Sequence, residues 1–284
     1  MRMLDDRATR KVAANGLEFA SQVYAPTGGE TSASIVLIRG LGTQLIEWSP
    51  VLIESLVAGG LQVVIFDNRD VGLSSKLDAE YALSDMADDV ALLMAALGEE
   101  RFHVFGISLG GMIAQLVAVQ HPDKVRCLFS VMSSTGNPDL PRPSKEVWDR
   151  MMLTADTRQG LIDLDVENRV VWGSPGYPET EAERRAMSEA VYDRSHYPEG
   201  VARQMSAARG DGSRVERLGS ITAPTLVIHG VDDPLVLPAG GEDTARSIPG
   251  AELEMVPGMG HNIPHALAPI IAGHVLAFIA ANPT

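Results

Sequence analysis

The stretch Gly106-Ile-Ser-Leu-Gly-Gly111 constrains the fold of this chain more than any other. The residues before it, 101–105, are apolar and β-prone, and those after it, 112–120, are apolar and helix-prone. The pattern predicts a strand that turns sharply at Ser108 and continues as a helix. Such a turn forces Ser108 into a strained backbone conformation and exposes its hydroxyl at the end of a sheet. The glycines are small because strand and helix pass close together there.

Ser108 is therefore the candidate nucleophile of the chain. A helix that starts directly behind it points free N–H groups at any negative charge formed there. Gly-x-Ser-x-Gly also occurs by chance in many proteins, so the motif carries weight only in its strand–turn–helix context.

The rest of the chain alternates between strand-like and helix-like segments. An α/β fold follows, with a mostly parallel, doubly wound sheet and an N-terminal antiparallel hairpin over 8–25, around the turn dipeptide Asn15-Gly16. Residues 26–34 are predicted to be a loop, and Ser84 is predicted to be a helix N-cap. The remaining predicted strands are 35–38, 61–66, 125–131, 224–229 and 251–256, and the remaining predicted helices include 50–58 and 264–280.

The alternation breaks after Ser134. Residues 137–212 begin with three prolines, contain no clear strand and favour helices at 144–155, 179–194 and 199–208. Trp148, Trp172 and several methionines make this segment too apolar for disorder, although they can simply fill a core. We predict a core formed by 1–136 and 213–284, interrupted by a helical insertion over 137–212, called the insertion below.

Charge and composition limit the classes of partner. The formal charge of −14 argues against binding to nucleic acid or to an anionic membrane. No apolar run is long enough to span a bilayer, and the charged first seven residues lack the apolar segment of a signal peptide. The single cysteine, Cys127, rules out an internal disulfide and is expected to be buried in a strand. We expect a soluble cytoplasmic protein.

A serine nucleophile needs a base, and the base needs an anion to orient it. In sheets of this kind the chain order is serine, acid, histidine. Of the seven histidines, only His261 has flanking glycines and follows the last predicted strand. Asp232 and Asp233 both follow the strand before it. We favour Asp233, because Pro234 holds it extended, with Asp232 as a cap of the same turn; the opposite assignment remains open.

Acyl transfer also needs an oxyanion hole. One N–H should come from Leu109, the residue after the nucleophile, and the other from Leu41 in the loop after strand 35–38. Gly40 and Gly42 allow that backbone to approach closely. The alternative is an ordinary glycine-rich turn.

Together these motifs resemble the α/β-hydrolase superfamily along essentially the whole chain, and most closely its esterases related to aclacinomycin methylesterase. The resemblance implies that Ser108, Asp233 and His261 form a catalytic triad, that Leu41 and Leu109 supply the oxyanion hole, and that the insertion is a cap over the pocket. The matching stretches are Arg39-Gly-Leu-Gly42, Asp67-Asn-Arg-Asp-Val-Gly-Leu-Ser74, Gly106 to Gly111, Ile228 to Pro234 and Gly258-Met-Gly-His261.

The chain departs from the family pattern at Arg39, where many relatives carry histidine. Arg39 can pair with a nearby carboxylate, or it can face the pocket and favour an anionic or carbonyl-rich substrate. A serine at position 108 is unlike the family's haloalkane dehalogenases and epoxide hydrolases.

The sequence thus predicts a carboxylic ester hydrolase that acts on a small molecule through an acyl-enzyme. Neither a metal nor an organic cofactor is implied. The same residues could instead serve C–C bond hydrolysis, lactone opening, perhydrolysis or acyl transfer, or the fold could be a ligand receptor with little turnover. The predicted partner is a small-molecule ester, with no nucleic acid and no membrane. The oligomeric state stays open, with a homodimer as one option.

Overall fold

Eight strands form a single sheet in a computed structural model that describes residues 3–26, 31 and 33–283. The strands run in the spatial order β1-β2-β4-β3-β5-β6-β7-β8. The pairs β1–β2 and β2–β4 are antiparallel, and all the other pairs are parallel. The strands are β1 (Arg10–Ala14), β2 (Leu17–Tyr24), β3 (Ala33–Ile38), β4 (Leu61–Phe66), β5 (Phe102–Ile107), β6 (Val125–Val131), β7 (Thr225–Gly230) and β8 (Glu252–Val256). The predicted fold class is confirmed.

Helices cover both faces of this sheet. They are α1 (Pro50–Ala58), α2 (Leu83–Ala96), α3 (Leu109–Gln120), α4 (Lys145–Met151), α5 (Arg158–Val171), α6 (Glu181–Arg194), α7 (Pro198–Asp211), α8 (Val215–Leu218), α9 (Pro238–Ser247) and α10 (Ala268–Ala281). One apolar core lies under α1 and α10, and a second lies under α2 and α3. Because both faces are covered, all six residues of β5 are buried, and all but His103 are apolar or glycine.

The N-terminal hairpin turns at Asn15 and Gly16, both with positive φ (49° and 72°). Two consecutive residues of this kind give a turn whose twist matches that of the flanking strands. The hairpin prediction is confirmed, and so is the burial of Cys127 in β6. Burial raises the pKa of the Cys127 thiol to about 11, which makes it unreactive.

Two local predictions are wrong or reach beyond the described residues. Ser84 is the second residue of α2 and not its N-cap; that position is Ala82, whose N–H donates to the Asp85 carboxylate at 2.8 Å. Of the predicted loop 26–34, residues 27–30 and 32 lie outside the described residues, and 33–34 already belong to β3.

Helices α4 to α7 lie between β6 and β7, within the stretch predicted as the insertion. The predicted helices 144–155, 179–194 and 199–208 correspond to α4, α6 and α7, whereas α5 was not predicted. Only Ile162 and Val166 are buried in α5, so its apolar stripe is too narrow to stand out in the sequence. Among the described residues, no helix is both long and apolar enough to cross a bilayer.

Candidate active site

Ser108 lies at the turn between β5 and α3. Its φ of 54° and ψ of −122° place it in a region that non-glycine residues rarely adopt, at a cost of about 1–3 kcal/mol. Close packing explains the flanking glycines: a Cβ at Gly106 would lie 1.9 Å from the Gly110 carbonyl oxygen, and a Cβ at Gly110 would lie 2.2 Å from the Ile38 carbonyl oxygen. The strained turn predicted from the sequence is present.

Asp233 and His261 meet at the ends of β7 and β8. The His261 Nδ1 lies 2.7 Å from Asp233 Oδ2. The other carboxylate oxygen, Oδ1, accepts the N–H groups of Leu235 and Val236, both at 2.9 Å. The Asp233 side chain is fully buried and that of His261 is 8% exposed. Because a carboxylate only accepts, Nδ1 carries the proton, and Nε2 is free to act as a base.

Asp232 points elsewhere. Its carboxylate accepts the Gly258 N–H at 2.8 Å, and its own N–H donates to the Met259 carbonyl oxygen at 3.0 Å. It therefore ties the turn after β7 to the loop that carries His261. The structure brings Asp233, and not Asp232, within hydrogen-bond distance of His261.

The loop 39–43 passes alongside Ser108. A Cβ at Gly40 would lie 3.2 Å from Ser108 Cβ, so a side chain there would crowd the hydroxyl. The Gly42 N–H is taken by Gln204 Oε1 at 2.9 Å. In the described part of the chain, the Leu41 N–H has no protein acceptor. The Leu109 N–H opens α3 and so has no partner within the helix. These are the two N–H groups predicted from the sequence.

Arg39 points at a carboxylate. Its Nη2 lies 3.9 Å from Glu47 Oε1, its Nη1 donates to the Glu47 carbonyl oxygen at 3.3 Å, and its guanidinium stacks on Trp48 at 4.8 Å. Glu47 is shared with Arg169 of α5, whose Nη2 lies 2.7 Å away. Of the two alternatives left open by the sequence, the geometry favours the ion pair.

His229, a buried residue of β7, lies beside Asp233. Its Nε2 lies 2.7 Å from the Val236 carbonyl oxygen and 3.6 Å from Asp233 Oδ2. Burial lowers its pKa, so it stays neutral. Its place directly before Gly230, at the strand end that supplies Asp233, is the signal that could have drawn attention to it.

The insertion also reaches the candidate site, through contacts that the sequence did not reveal. The His261 N–H donates to the Trp172 carbonyl oxygen at 2.7 Å, and the Gly260 N–H donates to Ser174 Oγ at 3.0 Å. A Cβ at Gly260 would lie 2.0 Å from the Gly173 carbonyl oxygen. Backbone from the insertion thus packs directly against the histidine.

A cavity of about 1030 Å³ lies among helices α4 to α7. Its walls are mainly apolar, and they include Met151, Leu161, Val191, Tyr192 and Met205. Gly42 also lines it, which places the cavity next to the loop that passes Ser108 at Gly40. Across the described ranges, no three His, Cys, Asp or Glu side chains are grouped so that they could hold a metal ion.

Comparison with known proteins identifies the family. The model of the alpha/beta hydrolase fold family matches residues 33–265, so the chain belongs to this family. Rhodomycin D methylesterase DauP of Streptomyces sp. (strain C5) is 29% identical over 278 residues, covering 89% of this chain and 93% of the relative. A putative carbamate hydrolase, RutD of Variovorax paradoxus, is 30% identical over 267 residues, covering 91% and 95%.

A solved structure agrees with this membership. The enol-lactonase of Burkholderia xenovorans is 25% identical with a TM-score of 0.77, and the match covers 95% of this chain and all of that one. The predicted family is confirmed. The predicted enzyme class, a carboxylic ester hydrolase, is confirmed by the family and by the methylesterases among the relatives.

Proposed function

We propose that the protein hydrolyses a carboxylic ester of a small molecule through an acyl-enzyme, with Ser108 as nucleophile, His261 as base and Asp233 as its orienting acid. The observation that carries the proposal is the 2.7 Å hydrogen bond between His261 Nδ1 and buried Asp233. It fixes the tautomer in which Nε2 can accept a proton. Ser108, on its strained turn, is the hydroxyl that this base serves.

The reaction then follows in two halves. His261 Nε2 takes the Ser108 proton while Oγ attacks the ester carbonyl, and Asp233 stabilises the imidazolium. The imidazolium protonates the leaving alcohol as the carbon–oxygen bond breaks. Water, deprotonated by His261, attacks the acyl-enzyme, and the proton returns to Ser108 as the acid leaves.

The N–H groups of Leu41 and Leu109 hold the negative oxygen of each tetrahedral intermediate. Their lack of protein acceptors in the described residues supports this role, because a preorganised donor stabilises the developing charge without first breaking another bond. Gln204 supports it too, since it occupies the neighbouring Gly42 N–H and fixes the loop.

For the substrate, we propose an ester of a bulky, mainly apolar acid with a short alcohol such as methanol. The cavity among α4 to α7 is large enough for several fused rings and adjoins the loop beside Ser108. Two of the relatives are named methylesterases. In this proposal the insertion, residues 137–212, roofs the pocket and selects the acid.

The nucleophile is tested with a fluorophosphonate probe. One label should appear per chain, on Ser108, and Ser108→Ala should abolish both labelling and ester hydrolysis. Labelling or turnover that persists in Ser108→Ala contradicts the proposal.

The substrate class is tested by comparing methyl esters of a polycyclic aromatic acid and of acetic acid, together with a lactone, a carbamate and a β-diketone. The polycyclic methyl ester should have the highest kcat/KM. Faster turnover of the β-diketone, the lactone or the carbamate would assign the same residues to that chemistry. Binding of these compounds without any turnover would point to a receptor.

A further inference from the structure

The segment 172–176, called the strap, connects α5 to α6 and runs along the loop 258–262, called the histidine loop. Five hydrogen bonds join the strap to the histidine loop. They are Gly176 N–H to Gly258 O at 2.9 Å, Gly260 N–H to Ser174 Oγ at 3.0 Å, His261 N–H to Trp172 O at 2.7 Å, and Ser174 Oγ–H to both Asn262 Oδ1 at 2.6 Å and Asn262 O at 3.1 Å. A sixth bond, from Asn262 Nδ2–H to Glu179 Oε2 at 3.0 Å, reaches the chain just beyond the strap.

The main-chain N–H groups at and before the histidine are satisfied by the insertion and not by the sheet. Gly260 and His261 donate to Ser174 and Trp172, whereas the core holds the start of the histidine loop, where Asp232 bonds the Gly258 N–H and the Met259 carbonyl oxygen. The strap therefore bonds the main chain at His261 directly, whereas the core bonds it two and three residues earlier.

We propose that Ser174 is a positioning residue for His261. Within the described part of the chain, its hydroxyl is the one side-chain group that bonds both neighbours of the histidine, because it accepts from Gly260 and donates to Asn262. Ser174 is buried at 3% exposure, so water does not replace these bonds when the hydroxyl is removed. The strap thus holds the imidazole at the angle from which Nδ1 meets Asp233 at 2.7 Å and from which, in the proposed reaction, Nε2 takes the proton of Ser108.

Removing the Ser174 hydroxyl should lower kcat and leave KM nearly unchanged. A displacement of about 1 Å in a reacting group can cost ~100-fold in rate, and Ser174→Ala leaves the Trp172 bond in place, so we expect kcat to fall about tenfold. KM should change less than about twofold, since Ser174 is not among the residues that line the cavity.

Ser34 offers a matched control. It is also a buried serine, at 2% exposure, and it donates to Glu99 Oε2 at 2.6 Å and accepts from Gln62 Nε2 at 3.2 Å. It lies at the start of β3, at the opposite end of that strand from the loop 39–43. Ser34→Ala should leave kcat unchanged, whatever it does to the melting temperature.

Asn262→Ala is the second variant. It removes the side-chain acceptor of Ser174 but keeps the bond from Gly260 and the bond to the Asn262 main-chain carbonyl oxygen, so a loss of about threefold in kcat is expected. If the two side chains act as one unit, the double variant Ser174→Ala/Asn262→Ala should be no slower than Ser174→Ala alone. If Ser174→Ala does not fold, the kcat of Asn262→Ala alone still tests whether these bonds position His261.

Because this role rests on the proposed function, a measurement independent of turnover is needed. Amide hydrogen exchange of a peptide that covers 258–262 reports the loop itself and should be faster in Ser174→Ala and unchanged in Ser34→Ala. Faster exchange together with the kcat loss supports the proposal. Normal kcat, or a kcat loss with unchanged exchange, overturns it. Failure of the proposed function would appear separately, as turnover or labelling that survives Ser108→Ala.

Discussion

Replacing Asp233 with asparagine changes one oxygen of the carboxylate into an amide nitrogen, and the structure dictates which one. Oδ1 accepts two main-chain N–H groups, from Leu235 and Val236. The amide must keep its oxygen there, so its NH₂ faces His261 Nδ1. Since NH₂ only donates, Nδ1 must accept, and the imidazole proton moves to Nε2. Nε2 can then no longer take the proton of Ser108.

The expected loss of kcat follows from the wrong tautomer of His261. Such a change in a serine triad lowers kcat by about 10⁴-fold, which corresponds to about 5.4 kcal/mol at 1.36 kcal/mol for each factor of ten. KM should change little, because Asp233 does not reach the substrate. Stability should also change little, because the amide has the same shape and keeps both main-chain bonds.

The assay is steady-state kinetics on one activated ester, with thermal melts to confirm folding. Asp232→Asn is the control: its amide oxygen can still accept the Gly258 N–H, and the side chain is exposed, so kcat should stay within about threefold of wild type. Near-normal activity in Asp233→Asn, combined with a large loss in Asp232→Asn, would refute the reasoning and exchange the roles of the two aspartates.

Three further predictions concern residues away from the triad. Gln204→Leu should lower kcat about tenfold, because the Gly42 N–H loses its acceptor and the loop 39–43 its anchor; wild-type kcat in a folded variant would contradict this. Asp89→Asn should lower the free energy of unfolding by about 3–5 kcal/mol in urea, because Arg69, bonded to both carboxylate oxygens at 2.5 and 2.6 Å, is left buried and unpaired; a loss below ~1 kcal/mol would exclude that cost. Burial lowers the pKa of His103 to about 4 from 6.5, so the unfolded chain takes up a proton before the folded one as pH falls. Stability should therefore drop by about 2 kcal/mol between about pH 7 and about pH 4.5, a loss that His103→Leu should lack in denaturation curves at both pH values.

The sheet was predictable because its signals are local. The ends of α1, β4 and β6 coincide with the predicted ends: glycine follows α1, Asp67 follows β4, and β6 begins after Lys124 and ends before Met132 and two serines. The prediction at Ser84 is wrong because serine is a common N-cap, whereas here the Asp85 carboxylate bonds the N–H of Ala82, three residues before it. Helix α9 was not predicted because it is short and contains the glycine pair Gly240-Gly241, and glycine disfavours the interior of a helix.

The candidate site was predictable only where motifs mark it. Ser108 and His261 stand among glycines in the expected chain order, and the turn after β7 limits the acid to two neighbours. The bond between Ser174 and Gly260 joins residues 86 positions apart, and no local pattern specifies such a pair. The same applies to Gln204, which meets Gly42 across 162 positions.

Because the insertion lies between β6 and β7, the residues of the proposed active site fall on two separate lengths of the chain. A break at the exposed residues 141–142 would leave Leu41, Ser108 and Leu109 on one fragment, and the helices of the insertion, Asp233 and His261 on the other. The interrupted strands β6 and β7 are parallel neighbours in the sheet, paired from Leu128 to Val131. Each fragment would carry an unpaired strand edge, the first with one member of the proposed triad and the second with the other two. Ester hydrolysis would then require that β6 of one fragment pairs again with β7 of the other. If two proteins that bind each other were fused to the fragments, ester turnover would report their binding.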